Sequence, residues 1–159
     1  MASDSVQIIQ TDIPGVVEVR LNRPEKHNAL NTGLFSSLAE AGDRLKTEPG
    51  LRAVVISGNG RSFCAGLDMG NFANMAEGGG AGATGDNGLE KRTHGISNLP
   101  QYIAMVWREV PVPVIAAVQG VAVCRWRWVP ICGLPHRTPS GPLWRSSGAW
   151  CRTWAAWCC

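Results

Sequence analysis

Two short runs of β-branched residues, Val6 to Ile9 and Val16 to Leu21, open the polar and apolar pattern of the chain. Between them lies Asp12-Ile13-Pro14-Gly15, whose Pro and Gly suit a tight turn, so the pair predicts a β-hairpin. Asn22 to Asn28 is polar and without periodicity, and reads as a loop. Leu34, Phe35, Leu38, Ala41 and Leu45 then recur at helical spacing, with Asn31 or Thr32 placed to cap the helix and Pro49-Gly50 to stop it. Ala53 to Ser57 is a continuous apolar run closed by Gly58-Asn59-Gly60, the pattern of a strand buried on both faces. Ile96, Leu99, Ile103, Val106 and Trp107 trace a second helical stripe that Pro111 and Pro113 end, and Val114 to Val118 gives another buried strand stopping at Gly120. Alternation of strands and helices predicts an α/β layer fold.

Two stretches fall outside that alternation. Residues 78 to 88, Gly-Gly-Gly-Ala-Gly-Ala-Thr-Gly-Asp-Asn-Gly, would pay a large backbone entropy to form a regular element, and are expected to be a mobile loop. From Cys124 onward neither a period near 3.6 nor a period of 2 survives, and the tail is expected to be irregular or disordered.

Composition sharpens this division. The chain has 159 residues, 45% hydrophobic and 17% charged, enough for one domain with a buried core, and its formal net charge is +3. The charge is unevenly spread, because residues 1–123 hold 10 Lys/Arg against 12 Asp/Glu, net −2, while residues 124–159 hold five Arg and no acid. Five of the six Cys and six of the seven Trp also lie in those last 36 residues. The start lacks a basic stretch followed by an apolar one, and no apolar run approaches the ~20 residues of a membrane span. A reduced, cytoplasmic setting is the expectation, with no disulfide framework.

The chemistry concentrates in Gly60 to Met69, Gly-Arg-Ser-Phe-Cys-Ala-Gly-Leu-Asp-Met, directly after a predicted buried strand. A turn of small residues leading through Asp68 into a helix leaves backbone N–H groups able to face an oxygen. That is what an oxyanion hole requires, each donor lowering a barrier by about 3 to 4 kcal/mol. On composition alone such a turn is more often structural than catalytic.

The order of segments adds specificity. Asn22-Arg-Pro-Glu-Lys-His-Asn-Ala-Leu-Asn31, then Ser62-Phe-Cys-Ala-Gly-Leu-Asp68, then Pro113-Val-Ile-Ala-Ala-Val-Gln-Gly120, resemble the successive signatures of the crotonase (enoyl-CoA hydratase/isomerase) family over about residues 6 to 123. The resemblance implies a truncated crotonase-like ββα spiral over residues 1–123, followed by a non-family tail over 124–159. It implies acyl-CoA or enoyl-CoA thioesters as substrates, with CoA belonging to the substrate and no separate cofactor or metal. The loop with Arg23, Glu25, Lys26 and His27 resembles the one that lies along the CoA nucleotide, and Ala65, Gly66 and Asp68 the segment that contacts adenine and the pantetheine arm. The Leu67 N–H falls where the family places its first oxyanion donor, stabilising an enolate-like species. Family members commonly form trimers or hexamers through a C-terminal region that has no counterpart here, so assembly of that kind is not expected.

After Val121-Ala122 the same resemblance requires a glycine-rich turn with a second oxyanion donor, and then acid/base residues, often Glu. The chain instead gives Val123-Cys-Arg-Trp-Arg-Trp128, and no Asp or Glu follows Glu109. Impaired or absent catalysis is therefore expected, leaving an acyl-CoA-binding remnant or an unfolded product as alternatives. Trp has a single codon, so the tail can be read in another frame. Trp144 to Trp154 can then yield Met-Glu-Val-Leu-Trp-Gly-Leu-Val-Pro-Asp-Met, and Arg127 to Gly133 can yield Ala-Leu-Gly-Ala-Asp-Leu-Arg, both resembling crotonase sequence beyond the turn. A frameshift near Val123 is the expected origin of the tail.

Other groups read as structural. His27 and His94 are read as solvated histidines rather than general bases, and Cys64 as a small packing residue rather than a nucleophile. Asp68 suits a helix cap as well as a catalytic place. Cys151, Cys158, Cys159 and His136 lack four-ligand zinc spacing. The Arg-Trp alternation at 125 to 128 resembles peptides for nucleic acids or membrane surfaces, but a change of frame accounts for it without either partner.

Overall fold

A computed structural model describes residues 5–70 and 92–122. Strands β1 (Val6–Gln10), β2 (Val16–Leu21), β3 (Ala53–Gly58) and β4 (Val114–Ala116) form one sheet in the order β1-β2-β3-β4. β1 and β2 are the antiparallel hairpin, in the register Val6 opposite Leu21 and Ile8 opposite Val19. β2, β3 and β4 run parallel, so each step between them needs a crossover. Helix α1 (Thr32–Lys46) lies on the first crossover and α2 (Leu99–Glu109) on the second.

Each element has a local cause. Asn31 caps α1, its Oδ1 accepting the Leu34 N–H at 2.9 Å, which settles the choice between Asn31 and Thr32. Asn98 and Gln101 form a capping box at the start of α2, Oδ1 taking the Gln101 N–H and Gln101 Oε1 the Asn98 N–H, both at 3.1 Å. That box sets the boundary and leaves Ile96 outside the helix, 72% exposed, in a turn where it adds nothing to the helical stripe. The polar loop after β2 contains a single 3-10 turn at Pro24–Lys26, where proline supplies its fixed φ.

One sheet face is fully apolar. Val17, Val19, Leu21, Val54, Ile56, Val114 and Ala116 meet Leu34, Phe35, Leu38 and Leu45 of α1 and Ile103, Val106 and Trp107 of α2 in one core. Full burial of each large side chain contributes about 1.5 to 3 kcal/mol. The other face is only half-buried, and a Glu18–Arg20 ion pair at 2.7 Å occupies it. β3 is accordingly buried on one face, not both, with Ala53, Val55 and Ser57 on the half-buried side. β4 ends at Ala116, two residues before the apolar run does: the Ala117 N–H to Ile56 O bond is the last of the ladder, and beyond it Gln119 O and Val121 O accept from Phe63 and Cys64 instead.

The helices touch where α1 has no side chain. A Cβ on Gly42 would lie 2.4 Å from Val106 Cγ2 and 2.7 Å from Cγ1, and a β-branched side chain has little freedom to step aside. Gly42→Ala is expected to lower stability by about 1 to 2 kcal/mol, although alanine gains about 1 kcal/mol in helix propensity. In a Val106→Ala background the same change becomes neutral or stabilising, a reversal that a double-mutant cycle in urea measures.

The glycine-rich loop at 78–88 and the tail at 124–159 lie outside the described residues. No described helix is long and apolar enough to cross a membrane.

Candidate active site

Three loops leave the carboxyl ends of the parallel strands: residues 22–31 after β2, 59–68 after β3 and 117–122 after β4. In open parallel sheets that end is where ligands gather. The 59–68 loop lies between the other two. Phe63 donates its N–H to Gln119 O at 2.8 Å and Cys64 to Val121 O at 3.1 Å on one side, while Ala65 donates to His27 O at 2.9 Å on the other.

Asn28 ties the first two loops together. It is fully buried at φ 55°, follows His27 at φ 50°, and uses its whole amide. Its Oδ1 accepts the Arg23 N–H at 2.8 Å, and its Nδ2 donates to Asn59 O at 3.0 Å and Ser62 O at 2.8 Å.

The direction of the Leu67 N–H follows from peptide geometry. Leu30 donates its N–H to Gly66 O at 2.7 Å, and Asp68 donates to Leu30 O at 3.0 Å, a parallel bridge centred on Leu67. The Gly66 carbonyl and the Leu67 N–H belong to one planar trans peptide and point in opposite directions. With the carbonyl fixed on Leu30, the N–H faces away from that loop, to the side where residues 119–122 run. Among the described residues nothing accepts it. It is a donor whose direction the Leu30 bridge fixes, one requirement of an oxyanion site.

Asp68 sits beside this donor. Its Oδ1 accepts the Gly70 N–H at 3.0 Å, where Met69 and Gly70 enter a helical turn, and its Oδ2 pairs with Arg23 Nη2 at 3.0 Å. The Gly70 N–H first, and then the Arg23 guanidinium, hold the Asp68 carboxyl below the usual carboxylate range. A depressed carboxyl adds stability that is complete above the unfolded pKa of about 3.9 and disappears as pH falls through the folded value. Asp68→Asn is therefore expected to be less stable than the native chain at pH 7, with the gap closing below about pH 4. Unfolding free energies measured from pH 7 to pH 2.5 check this, and a constant gap would contradict it.

The sequence-derived residues are partly brought together. Arg23, Ala65, Gly66, Leu67 and Asp68 form one cluster, with Arg23 turned inward to Asp68 and to Ala29 O at 2.5 Å. Glu25, Lys26 and His27 lie on the exposed rim, His27 Nδ1 standing 3.1 Å from Ser62 Oγ. Cys64 is buried in the core. His94 stacks on Tyr102, ring centroids 4.6 Å apart, and lies with α2 rather than at this site. Among the described residues no three His, Cys, Asp or Glu side chains converge as metal ligands; Cys151, Cys158, Cys159 and His136 lie outside them.

A profile of the enoyl-CoA hydratase/isomerase family matches residues 12–124. The chain belongs to that family. A mevalonyl-coenzyme A hydratase of Beauveria bassiana is 37% identical over 111 residues, 69% of this chain and 38% of that one. A 1,2-epoxyphenylacetyl-CoA isomerase of Escherichia coli is 36% identical over 110 residues, 68% of this chain and 38% of the relative. Among solved structures, an enoyl-CoA hydratase/isomerase from Mycobacterium paratuberculosis superposes with a TM-score of 0.53 at 25% identity, covering 73% of this chain and 41% of the other. The chain thus spans about two fifths of the length of the relatives it matches. Its α/β sheet and crossover helices are those of the crotonase fold.

Asn28 and Gly120 are absent from the sequence-derived site, yet both shape it. Gly120 stands at φ 57°, and a Cβ there would lie 1.9 Å from Arg61 O, so the 117–122 loop can close on the 59–68 loop only with glycine. The available signal was positional alone, since each residue falls within a family signature.

Proposed function

We propose that this chain binds acyl-CoA thioesters and polarises the thioester carbonyl through the Leu67 N–H, with little or no turnover of its own. The observation that carries this reading is the outward-facing Leu67 N–H, fixed by the Gly66–Leu30 bond and left without an acceptor among the described residues. CoA is part of the substrate, and no other cofactor is invoked. In this reading the exposed rim of Glu25, Lys26 and His27 borders the CoA nucleotide, while Ala65 and Gly66 border the pantetheine arm. Cytoplasmic residence is part of this reading.

Weak or absent turnover is supported by the state of the carboxylates. Asp68, next to the donor, is already committed to Arg23 and the Gly70 N–H and is poorly placed to carry a proton. After Val121-Ala122, where the family resemblance calls for a glycine-rich turn with a second donor, the chain gives Val123-Cys-Arg-Trp-Arg-Trp128. We attribute residues 124–159 to a change of reading frame, which sequencing of the locus tests directly. A continuous crotonase reading in the alternative frame is expected, and its absence would remove that explanation.

The functional test uses crotonyl-CoA and the 159-residue chain. At ~100-fold excess over Kd, binding should add about 2.7 kcal/mol and raise the melting temperature by several degrees. The conjugated enoyl absorbance should remain constant over the same period. Steady hydration would overturn the loss of turnover, and the lack of any thermal shift would overturn binding.

A further inference from the structure

The aim of the Leu67 N–H depends on a peptide attached to the least restrained residue of the loop. Gly66 stands at φ 97°, a conformation in which glycine has broad freedom, so its own sterics do not fix the plane of the Gly66–Leu67 peptide. Bonds to neighbouring segments must do so. Two come from the Leu30 backbone, one to each side of Leu67. The third restraint is ionic: the Arg23 guanidinium spans from Ala29 O at 2.5 Å to Asp68 Oδ2 at 3.0 Å, joining the residue before Leu30 to the residue after Leu67. Both side chains are largely buried, at 16% and 17% exposure, so solvent screens the pair weakly. Arg23 is itself held at its N–H by Asn28, and Asp68 at its other oxygen by Gly70, so neither end of the bridge swings freely.

From this geometry we infer that Arg23 and Asp68 act as positioning residues, an ionic clamp that fixes the direction of the Leu67 donor toward a bound thioester oxygen. The inference rests on the acyl-CoA reading and refines it. It assigns the Arg23 guanidinium and the Asp68 carboxylate to the carbonyl end of the ligand, acting through the backbone, and not to contact with the CoA nucleotide. Lysine in place of Arg23 keeps the charge but cannot span two acceptors with a planar fork. Asparagine in place of Asp68 keeps the shape and loses the charge.

The test compares two ligands that share the CoA portion: butyryl-CoA, which has a thioester carbonyl, and S-butyl-CoA, a thioether without one. Any change in CoA contacts cancels in the ratio of their affinities, which reports the hydrogen bond to the carbonyl oxygen. The native chain is expected to favour the thioester about tenfold, the effect of one well-aimed hydrogen bond. Arg23→Lys and Asp68→Asn should each bring the ratio to within about twofold of unity. Isotope-edited infrared spectra of bound butyryl-CoA should show a carbonyl band lowered in the native chain and near its free position in both variants. Near-UV circular dichroism checks folding. If either single variant does not fold, Arg23→Met with Asp68→Leu replaces the ion pair by an apolar one, and this double variant should bind both ligands without preference. A thioester preference that survives these substitutions, or a native chain that binds both ligands equally, overturns the clamp and leaves acyl-CoA binding standing. A native chain that binds neither ligand overturns both.

Discussion

Asn28→Ala should destabilise the protein by about 3 to 5 kcal/mol, a large share of the 5 to 15 kcal/mol that holds an ordinary domain together. The residue is fully buried and its amide satisfies three backbone groups from three places in the chain: the Arg23 N–H, Asn59 O and Ser62 O. Alanine would leave the buried Ser62 O and the half-buried Arg23 N–H without this partner, at about 1 to 3 kcal/mol for each group left unsatisfied, whereas Asn59 is exposed and its carbonyl can turn to water. The left-handed backbone adds to the loss, because a Cβ at φ 55° costs about 1 to 2 kcal/mol outside glycine and asparagine. Asn28→Gly removes the backbone part and should recover about 1 kcal/mol. Urea unfolding followed by near-UV circular dichroism separates the two contributions. A loss below about 1 kcal/mol for Asn28→Ala would show that the amide is not the tie between these loops.

Gly120→Ala should cost about 2 to 4 kcal/mol and open one flank of the site. Here the obstacle is backbone, since the new Cβ would sit 1.9 Å from Arg61 O and 3.0 Å from Arg61 C. A flexible side chain could rotate away, but a carbonyl in a pinned loop cannot. The 117–122 segment would have to withdraw, giving up the Phe63 bond to Gln119 O, the Cys64 bond to Val121 O, and the Gln119 amide contacts to Gly58 O at 2.8 Å and Gly60 O at 2.6 Å. Gly50 supplies the control: its φ is 75°, but nothing lies within 4 Å of a Cβ there. Gly50→Ala should therefore show the backbone cost alone, about 1 kcal/mol. Amide hydrogen exchange at Phe63 and Cys64 should accelerate in Gly120→Ala and stay unchanged in Gly50→Ala. Equal behaviour of the two variants would argue against the steric account.

The sheet and both helices were legible because burial writes a period into the sequence. β1 and β2 follow their β-branched runs, and α1 follows the spacing from Leu34 to Leu45. The period misleads at its ends, where hydrogen bonds decide: Ile96 fits the helical stripe but precedes the Asn98–Gln101 box, and Val118 fits the strand but follows the last ladder bond, from Ala117 to Ile56. The candidate site was legible only through family resemblance, which singled out Leu67 without explaining the direction of its N–H. The bonds that set the aim are tertiary, since Arg23 and Asp68 are 45 residues apart and Asn28 reaches Ser62 across 34. Neither pairing has a local signature. In a polar loop, an asparagine destined for complete burial looks like its solvated neighbours. Gly120 carried a signal, but a misleadingly modest one: it reads as the end of a strand, whereas its missing side chain is what admits the neighbouring loop.

The parallel order of β2, β3 and β4 has a consequence for inheritance. Because the three loops depart from the same ends of strands whose apolar side chains face the helices, many loop positions can change without touching the sheet core; Asn28, Leu30, Phe63, Cys64 and Gly120, buried or pinned, are the exceptions. A mevalonyl-coenzyme A hydratase and a 1,2-epoxyphenylacetyl-CoA isomerase are both relatives of this scaffold. Exposed loop positions are thus open to change while burial holds the strands.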